Sequence, residues 1–216
     1  MYEPKRTVEL ADLGDWHPHV VQLRCAHGLF TLETATSSLA VPGISSEQDL
    51  RQFLRVYVLT WLLPRELPSI YHAYHHANRR HYRELIQLDR RLGREMRTRG
   101  FSTASQRLGQ YQLKCLRPLR DQRLLQRYLR AVEQGRATGW HLLVYGVTLE
   151  VFSIPLRQGL LNFAKQTLGA YLHAGSCRLN LPEKEADEIL AEALRSLRPG
   201  IESLFAESVE GNTHRG

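Results

Sequence analysis

Two groups of histidines are the first places in this chain where metal or proton chemistry could reside. His17 and His19 flank a proline and His27 precedes a glycine, so no two of these imidazoles share a helix face. His72 and His76 are four residues apart on a predicted helix, but the segment HHANRRH offers arginines and no carboxylate beside them. Neither group is therefore expected to hold a metal, and a helical metal or haem enzyme with His72, His75 and His76 as ligands stays an alternative.

No familiar catalytic arrangement accompanies these histidines. The chain contains neither the phosphate-binding GxxxxGK[ST] nor the dinucleotide-binding GxGxxG, and it lacks the GxSxG of hydrolases and the HExxH of zinc proteases. His141 and Glu150 are isolated in apolar surroundings, and we expect His141 to be a buried histidine that bonds to a carbonyl. The sequence predicts a protein that is not an enzyme and has no catalytic residues.

The cysteines and the apolar segments indicate the compartment. Cys25, Cys115 and Cys177 are odd in number and show no CxxC or histidine-spaced ligand pattern, which argues against a disulfide framework or a structural zinc site. The polar N-terminus resembles no secretory signal, and no segment approaches the ~20 apolar residues that span a bilayer. We expect a soluble protein of the cytoplasm without membrane contacts.

The stretch from Gly139 to Leu181 is the element around which the other helices must pack. Residues 142–149 are apolar at every helical period, which predicts a helix buried on all sides. Gly146 would let a neighbouring backbone come close. Pro155 separates this helix from a second one, whose leucines recur at helical spacing beside small residues. The two helices are predicted to form a buried central pair.

Amphipathic patterns predict the surrounding helices. Ser45 and Ser46 begin overlapping capping boxes for a helix that should end at Pro64, and residues 65–100 favour one long helix. No strand pattern, internal repeat or low-complexity linker occurs. The sequence predicts an all-α, single-domain bundle of roughly eight to ten helices.

Two later helices carry specific expectations. A helix that begins at Ser102 is expected to turn Ala104, Leu108, Tyr111 and Leu116 inward. The last helix should start after Pro182 and end at Pro199.

Cationic side chains share one face of the predicted long helix. A net charge of +7 favours acidic partners without choosing among protein, nucleic acid and membrane. These side chains form a basic ridge, which is either a solvated helix face or a docking surface for an acidic partner. A nucleic-acid-binding module is the alternative function of the protein. At about 100° per residue, the ridge comprises His72, His75, His76, Arg79, Arg83, Arg90, Arg94 and Arg97.

Four ordered stretches resemble the UreF family of urease accessory proteins. They include GLFT, the helix-opening ELP, the charged REMRTRG, the HLLVYG of the central helix and the small-residue run before Arg178. Their positions are residues 28–31 with 45–54, residues 66–68 with 94–100, residues 141–146, and residues 154–179.

The resemblance implies a non-catalytic scaffold in nickel delivery and urease metallocentre maturation. Such a protein is a dimer that joins a UreG-type GTPase to UreD (also called UreH) and to urease. It holds no cofactor of its own, since nickel only passes through the complex. Residues 16–205 would form the UreF-like helical domain, between an N-terminal tail of residues 1–15 and a C-terminal tail of residues 206–216.

The resemblance also suggests partner-binding residues. Glu95 and Arg97 lie in the matching charged segment, and Arg178 holds the basic position before a leucine. Arg90 and Arg94 join them as members of the ridge. Each of the residues carried over from the family could instead form a plain structural ion pair. No metal ligands are expected, and nucleic acid is not an expected partner of such a scaffold.

Overall fold

The structure, a computed structural model, describes residues 35–37, 39–40, 42–96 and 102–213, with the backbone alone for residues 96 and 207–213. This part of the chain contains eight long α-helices and no strand, which confirms the predicted all-α bundle. The helices are α1 (Glu47–Tyr57), α2 (Leu67–Asn78), α3 (Tyr82–Met96), α4 (Ser102–Cys115), α5 (Arg123–Glu133), α6 (His141–Val151), α7 (Leu156–Leu179) and α8 (Glu183–Thr213), with a π-helical segment π1 (Val58–Glu66) between α1 and α2.

Ser46 caps the start of α1 as predicted, whereas Ser45 bonds to Asp49 rather than to Gln48. The Oγ of Ser46 accepts a hydrogen bond from the backbone N–H of Asp49 at 3.1 Å, and the backbone N–H of Ser45 donates to the Asp49 carboxylate at 3.0 Å. The hydrogen bonds from Ser45, and then those from Ser46, lower the pKa of Asp49 because they favour its charged form. These contacts satisfy helix N-terminal groups that would otherwise lack partners.

Pro64 does not end this helix, contrary to the prediction. The chain runs from α1 through π1 into α2, and the N–H of Leu67 donates to the carbonyl of Leu62, five residues earlier. A proline removes a hydrogen-bond donor and its ring crowds the preceding turn. The wider turn of a π-helix accommodates both effects, so the helix continues where an α-helical turn would break.

The predicted long helix over residues 65–100 is wrong, because two helices occupy its described part. α2 ends at Asn78, and Arg80 takes a left-handed backbone with φ 56° before α3 begins at Tyr82. Such a conformation redirects the chain. The histidines of the predicted ridge therefore lie on α2 and its described arginines from Arg83 onward lie on α3, so the ridge is not one continuous face.

The predicted buried helix is α6, whose residues 141–149 are all buried. It packs chiefly against α2 and α4, and it also contacts α7, where the hydroxyl of Tyr145 donates to the carbonyl of Gly159 at 3.1 Å. Glycines permit the close approach: a Cβ on Gly146 would lie 2.5 Å from the carbonyl oxygen of Ile70, as expected for that residue. A Cβ on Gly109 of α4 would lie 2.0 Å from the carbonyl oxygen of Gly139.

The inward face of α4 differs from the prediction. Tyr111 is 66% exposed, and Leu108 and Leu116 are only partly buried. The buried residues of α4 are Ser105, Gly109 and Leu113. The pattern of large apolar residues predicted the wrong buried face for α4, because the close contact between α4 and α6 uses small side chains.

The last helix also extends beyond its predicted end. α8 continues through Pro199, and Leu197 and Ile201 on either side of that proline are buried. Gly200 lies against Leu63 of π1, where an added Cβ would be 2.5 Å from a leucine methyl carbon. Packing on both sides of the proline thus holds the helix together. In the part of the chain described, no helix has the length and apolar character needed to cross a membrane.

Candidate functional site

An open groove of about 470 Å³ lies along the outer face of α3. α3 is amphipathic: Leu85, Leu88 and Leu92 are buried as predicted, and Gln87, Arg90 and Arg91 between them are exposed. The end of α2 contributes one wall, because the turn at Arg80 brings α2 beside α3. The groove is lined by His76, Glu84, Gln87, Leu88, Arg90, Arg91 and Arg94.

Three arginines give this groove its positive charge. Among the described residues, no carboxylate lies within ion-pairing distance of Arg90, Arg91 or Arg94. The Nε of Arg90 donates a long hydrogen bond of 3.4 Å to the carbonyl of Arg136. Guanidinium groups arranged in this way can bind carboxylates or phosphates through paired hydrogen bonds.

His76 adds a neutral imidazole to the arginines. Burial lowers its pKa, and the nearby His72 lowers it further. The side chain is therefore largely uncharged near neutral pH, and it can donate or accept a hydrogen bond within the groove.

A buried aspartate holds α3 in place behind the groove. Asp89 is fully buried, and its carboxylate accepts hydrogen bonds from the hydroxyl of Tyr128 at 2.6 Å and from the backbone N–H groups of Thr138 at 2.7 Å and Gly139 at 2.9 Å. The indole N–H of Trp140 donates to the Asp89 carbonyl at 3.2 Å. These four bonds join α3 to α5 and to the segment that precedes α6. Burial, then the Asp89 charge, raises the pKa of Tyr128, which keeps its hydroxyl a donor.

Asp89 was not among the functional residues predicted from the sequence. One signal was available: the residue occupies the apolar stripe of α3, four residues after Leu85 and three before Leu92. A carboxylate at such a position must find buried donors, which makes it a candidate for a structural or functional role.

The predicted partner-binding residues fall into separate places. Arg90 and Arg94 lie together in the groove, and the neighbouring Arg91 was not predicted. Glu95 is exposed and its carboxylate lies 3.8 Å from the guanidinium of Arg65 on π1. Arg178 is exposed near the end of α7 and is not a groove residue. Arg97 lies outside the described residues.

Glu95 was expected either to bind a partner or to form a structural ion pair, and its contact with Arg65 bears on that choice. Both side chains are about two-fifths exposed, at 39% for Arg65 and 42% for Glu95. An exposed pair of this kind contributes little to stability. Glu95 therefore stays available to a partner at little cost to the fold.

His141 lies in the core, as predicted, but its partner is a side chain. Its Nδ1 lies 2.8 Å from the Oγ of Ser105 on α4, whereas a carbonyl partner was expected. Burial lowers the pKa of His141 to about 3, so the imidazole is neutral at ordinary pH. The pair fastens α4 to α6 at the point where Gly109 allows their close approach.

The histidines of α2 and of the turn after it do not converge on one point. The ring centroids of His72 and His76 are 6.5 Å apart, and those of His76 and His81 are 6.4 Å apart. Within the described residues, no group of three or more histidine, cysteine, aspartate or glutamate side chains is placed to hold a metal ion. The Nε2 of His75 is buried without a hydrogen-bond partner among the described residues.

The fold and the groove define an all-helical protein that presents arginines on one side of a buried, hydrogen-bonded core. The family model for UreF matches residues 44–193, which is more than half of the chain and includes the whole groove. The chain belongs to the UreF family, as its sequence motifs predicted, and that family consists of urease accessory proteins. No curated protein matches the chain.

Proposed function

We propose that this protein is a non-catalytic scaffold that joins a UreG-type GTPase to UreD (UreH) and urease during nickel delivery. The observation that carries the proposal is the family match over residues 44–193. In this role the chain works as a cytoplasmic homodimer. It keeps no resident cofactor, and nickel passes through the assembled complex.

We place one docking contact of the scaffold at the arginine groove of α3. Arg90, Arg91 and Arg94 project from one helix, and no carboxylate of the described residues lies within ion-pairing distance of them, so they outweigh the one groove carboxylate, Glu84. An acidic surface would be attracted over several ångströms and then held by charge-assisted hydrogen bonds. Asp89 supports the contact because it fixes the helix that carries the arginines.

The groove can be tested by removing its charge. Replacing Arg90, Arg91 and Arg94 together with alanine should reduce recovery of the GTPase or urease partners at least tenfold in a pull-down at moderate salt. The melting temperature should change little, because exposed substitutions usually alter stability by less than about 0.5 kcal/mol each. Mass spectrometry of the captured proteins and a thermal melt provide the two measurements.

A matched variant controls for the loss of three charges. Arg107, Arg120 and Arg123 are exposed and lie outside the groove. Their triple alanine variant should retain the partners. Equal recovery by both variants would show that the groove is only a solvated surface. Capture of nucleic acid with no GTPase or metallocentre protein would favour the nucleic-acid-binding alternative, and its binding should then weaken steeply with salt.

A further inference from the structure

The positive charge of the groove continues beyond it, onto α5. The Nε of Arg90, a groove residue, donates to the carbonyl of Arg136 at 3.4 Å. The Nη1 of Arg136 donates to the hydroxyl of Tyr82 at 3.4 Å, and the guanidinium of Arg127 lies over the Tyr82 ring, 4.2 Å from its centroid. Tyr82 begins α3 and Arg127 lies in α5, so the contacts of these three residues, the Tyr82 cluster, join the two helices beside the groove.

The two arginines of the Tyr82 cluster are held in place but keep N–H groups for a ligand. Arg127 and Arg136 are exposed, and among the described residues no carboxylate lies within ion-pairing distance of either. Stacking on the ring positions Arg127 without using its N–H groups. The Nε and Nη2 of Arg136 donate to the Oε1 of Gln134 at 3.0 and 2.6 Å, so these contacts and the one to Tyr82 leave one N–H on each terminal nitrogen. Side chains that are already positioned lose less entropy when a ligand binds.

We propose that the Tyr82 cluster and the arginine groove together bind one acidic peptide segment of a partner protein. This binding surface rests on the docking contact proposed above and extends it from α3 onto α5, with Arg90 between the two parts. Forked pairs of guanidinium N–H groups match the two oxygens of a carboxylate. Five guanidinium groups are available to the acidic side chains of the segment, those of Arg90, Arg91, Arg94, Arg127 and Arg136.

Two features of this surface favour a peptide over a nucleic acid. Tyr82 is partly buried against the core and carries Arg127 over its ring, which leaves little aromatic surface on which a base could stack. Glu84 lies in the groove among the arginines, and its charge repels a continuous line of phosphates. A peptide can place an uncharged residue beside Glu84. The charges therefore match a segment whose acidic residues are separated by neutral ones.

Fluorescence anisotropy at low salt, with the full chain, measures this binding. The probe is a fluorescent peptide of alternating glutamate and serine, long enough to reach both parts of the surface. The wild-type protein should bind it more tightly than it binds an oligothymidylate of equal charge. Arg127→Ala/Arg136→Ala should raise the Kd of the peptide at least tenfold, because two of the five guanidinium groups are lost. The melting temperature should change little, since both side chains are exposed.

A second double variant removes the same charge from a neighbouring place. Arg120 and Arg123 are exposed, and Arg123 lies on the same helix as Arg127, but neither belongs to the groove or to the Tyr82 cluster. Arg120→Ala/Arg123→Ala should change the Kd less than twofold. Equal weakening by the two double variants would overturn the proposal, and so would tighter binding of the oligothymidylate than of the peptide.

The groove variant separates this proposal from the docking contact on which it rests. If the alanine variant of Arg90, Arg91 and Arg94 loses the peptide while Arg127→Ala/Arg136→Ala keeps it, the binding surface ends at the groove and only its extension onto α5 is wrong. If both variants keep the peptide, or the wild type does not bind it, acidic docking at the groove is wrong as well. The scaffold function itself is tested by the recovery of its partners.

Discussion

Single buried carboxyl groups set much of the chemistry of this core. Asp89 has three donors to its carboxylate, which compensate for its removal from water. Glu66 at the end of π1 has two donors, the hydroxyl of Tyr57 at 2.5 Å and the indole N–H of Trp61 at 3.1 Å. Burial nevertheless raises the pKa of Glu66 to about 7, although both hydrogen bonds act to lower it.

Removing the Asp89 carboxylate should destabilise the fold. Asp89→Ala leaves the Tyr128 hydroxyl and the N–H groups of Thr138 and Gly139 buried without their acceptor, which should cost about 3 kcal/mol. Urea unfolding followed by circular dichroism measures the change. The exposed Asp121→Ala serves as the control and should alter the free energy of unfolding by less than about 0.5 kcal/mol. Equal effects of the two variants would show that Asp89 does not fasten α3.

Glu66 should make stability depend on pH. Its pKa in the folded protein, about 7, is higher than the ordinary value of 4.5, so the folded state holds a proton that the unfolded state has lost between these pH values. The free energy of unfolding should therefore decrease as the pH rises from about 4.5 to 7, and the loss is complete above pH 7.

A neutral replacement should abolish this dependence. The stability of Glu66→Gln relative to the wild type should increase between pH 5 and pH 8, by up to about 3 kcal/mol. Urea titrations at several pH values measure the difference, with the exposed Glu188→Gln as control. A difference that stays constant over this range would mean that Glu66 titrates at its ordinary value.

At the scale of the helices, close packing depends on particular small residues. Gly109 brings α4 against the segment before α6, and Gly169 lies inside α7 with open space above it. Both are glycines within helices, so the intrinsic gain from alanine is the same for each. Their surroundings alone should decide the sign of a substitution.

The two glycines therefore form a matched pair. Gly109→Ala should destabilise the protein by at least about 2 kcal/mol, because its Cβ would lie 2.0 Å from the Gly139 carbonyl oxygen and backbone must move. Gly169→Ala should stabilise it by up to about 1 kcal/mol. Thermal melts of both variants test the pair, and a stabilised Gly109→Ala would show that α4 and α6 are farther apart than described.

Across the whole molecule, the sequence predicted the helix α6, which is apolar on all sides, and the start of α1 at its serine cap. The prediction was wrong where tertiary packing overrides a local sequence signal. Pro64 and Pro199 were expected to end helices, but buried neighbours and the wide turn of π1 keep both helices continuous. The inner face of α4 was misplaced because Ser105 and Gly109, rather than large apolar residues, meet α6.

The groove could be predicted only in part, for a related reason. Arg90 and Arg94 were identified from their shared helix face, but Arg91 was not, since it becomes a groove residue only when α2 turns back beside α3. The support from Asp89 depends on Thr138 and Gly139, which are about fifty residues away in sequence. Neither the periodicity nor the spacing of residues in the sequence reveals such long-range partners.

The π segment also determines how α2 is rotated about its axis relative to α1. A π turn holds about one residue more than an α turn, so a slip of one residue within Val58–Glu66 would rotate everything beyond it by about 100°. Such a rotation would carry His76 out of the groove and bring a different side chain of α2 against α3. The length of π1, counted in residues, is therefore what sets the rotational phase of α2 and decides which of its side chains the groove receives.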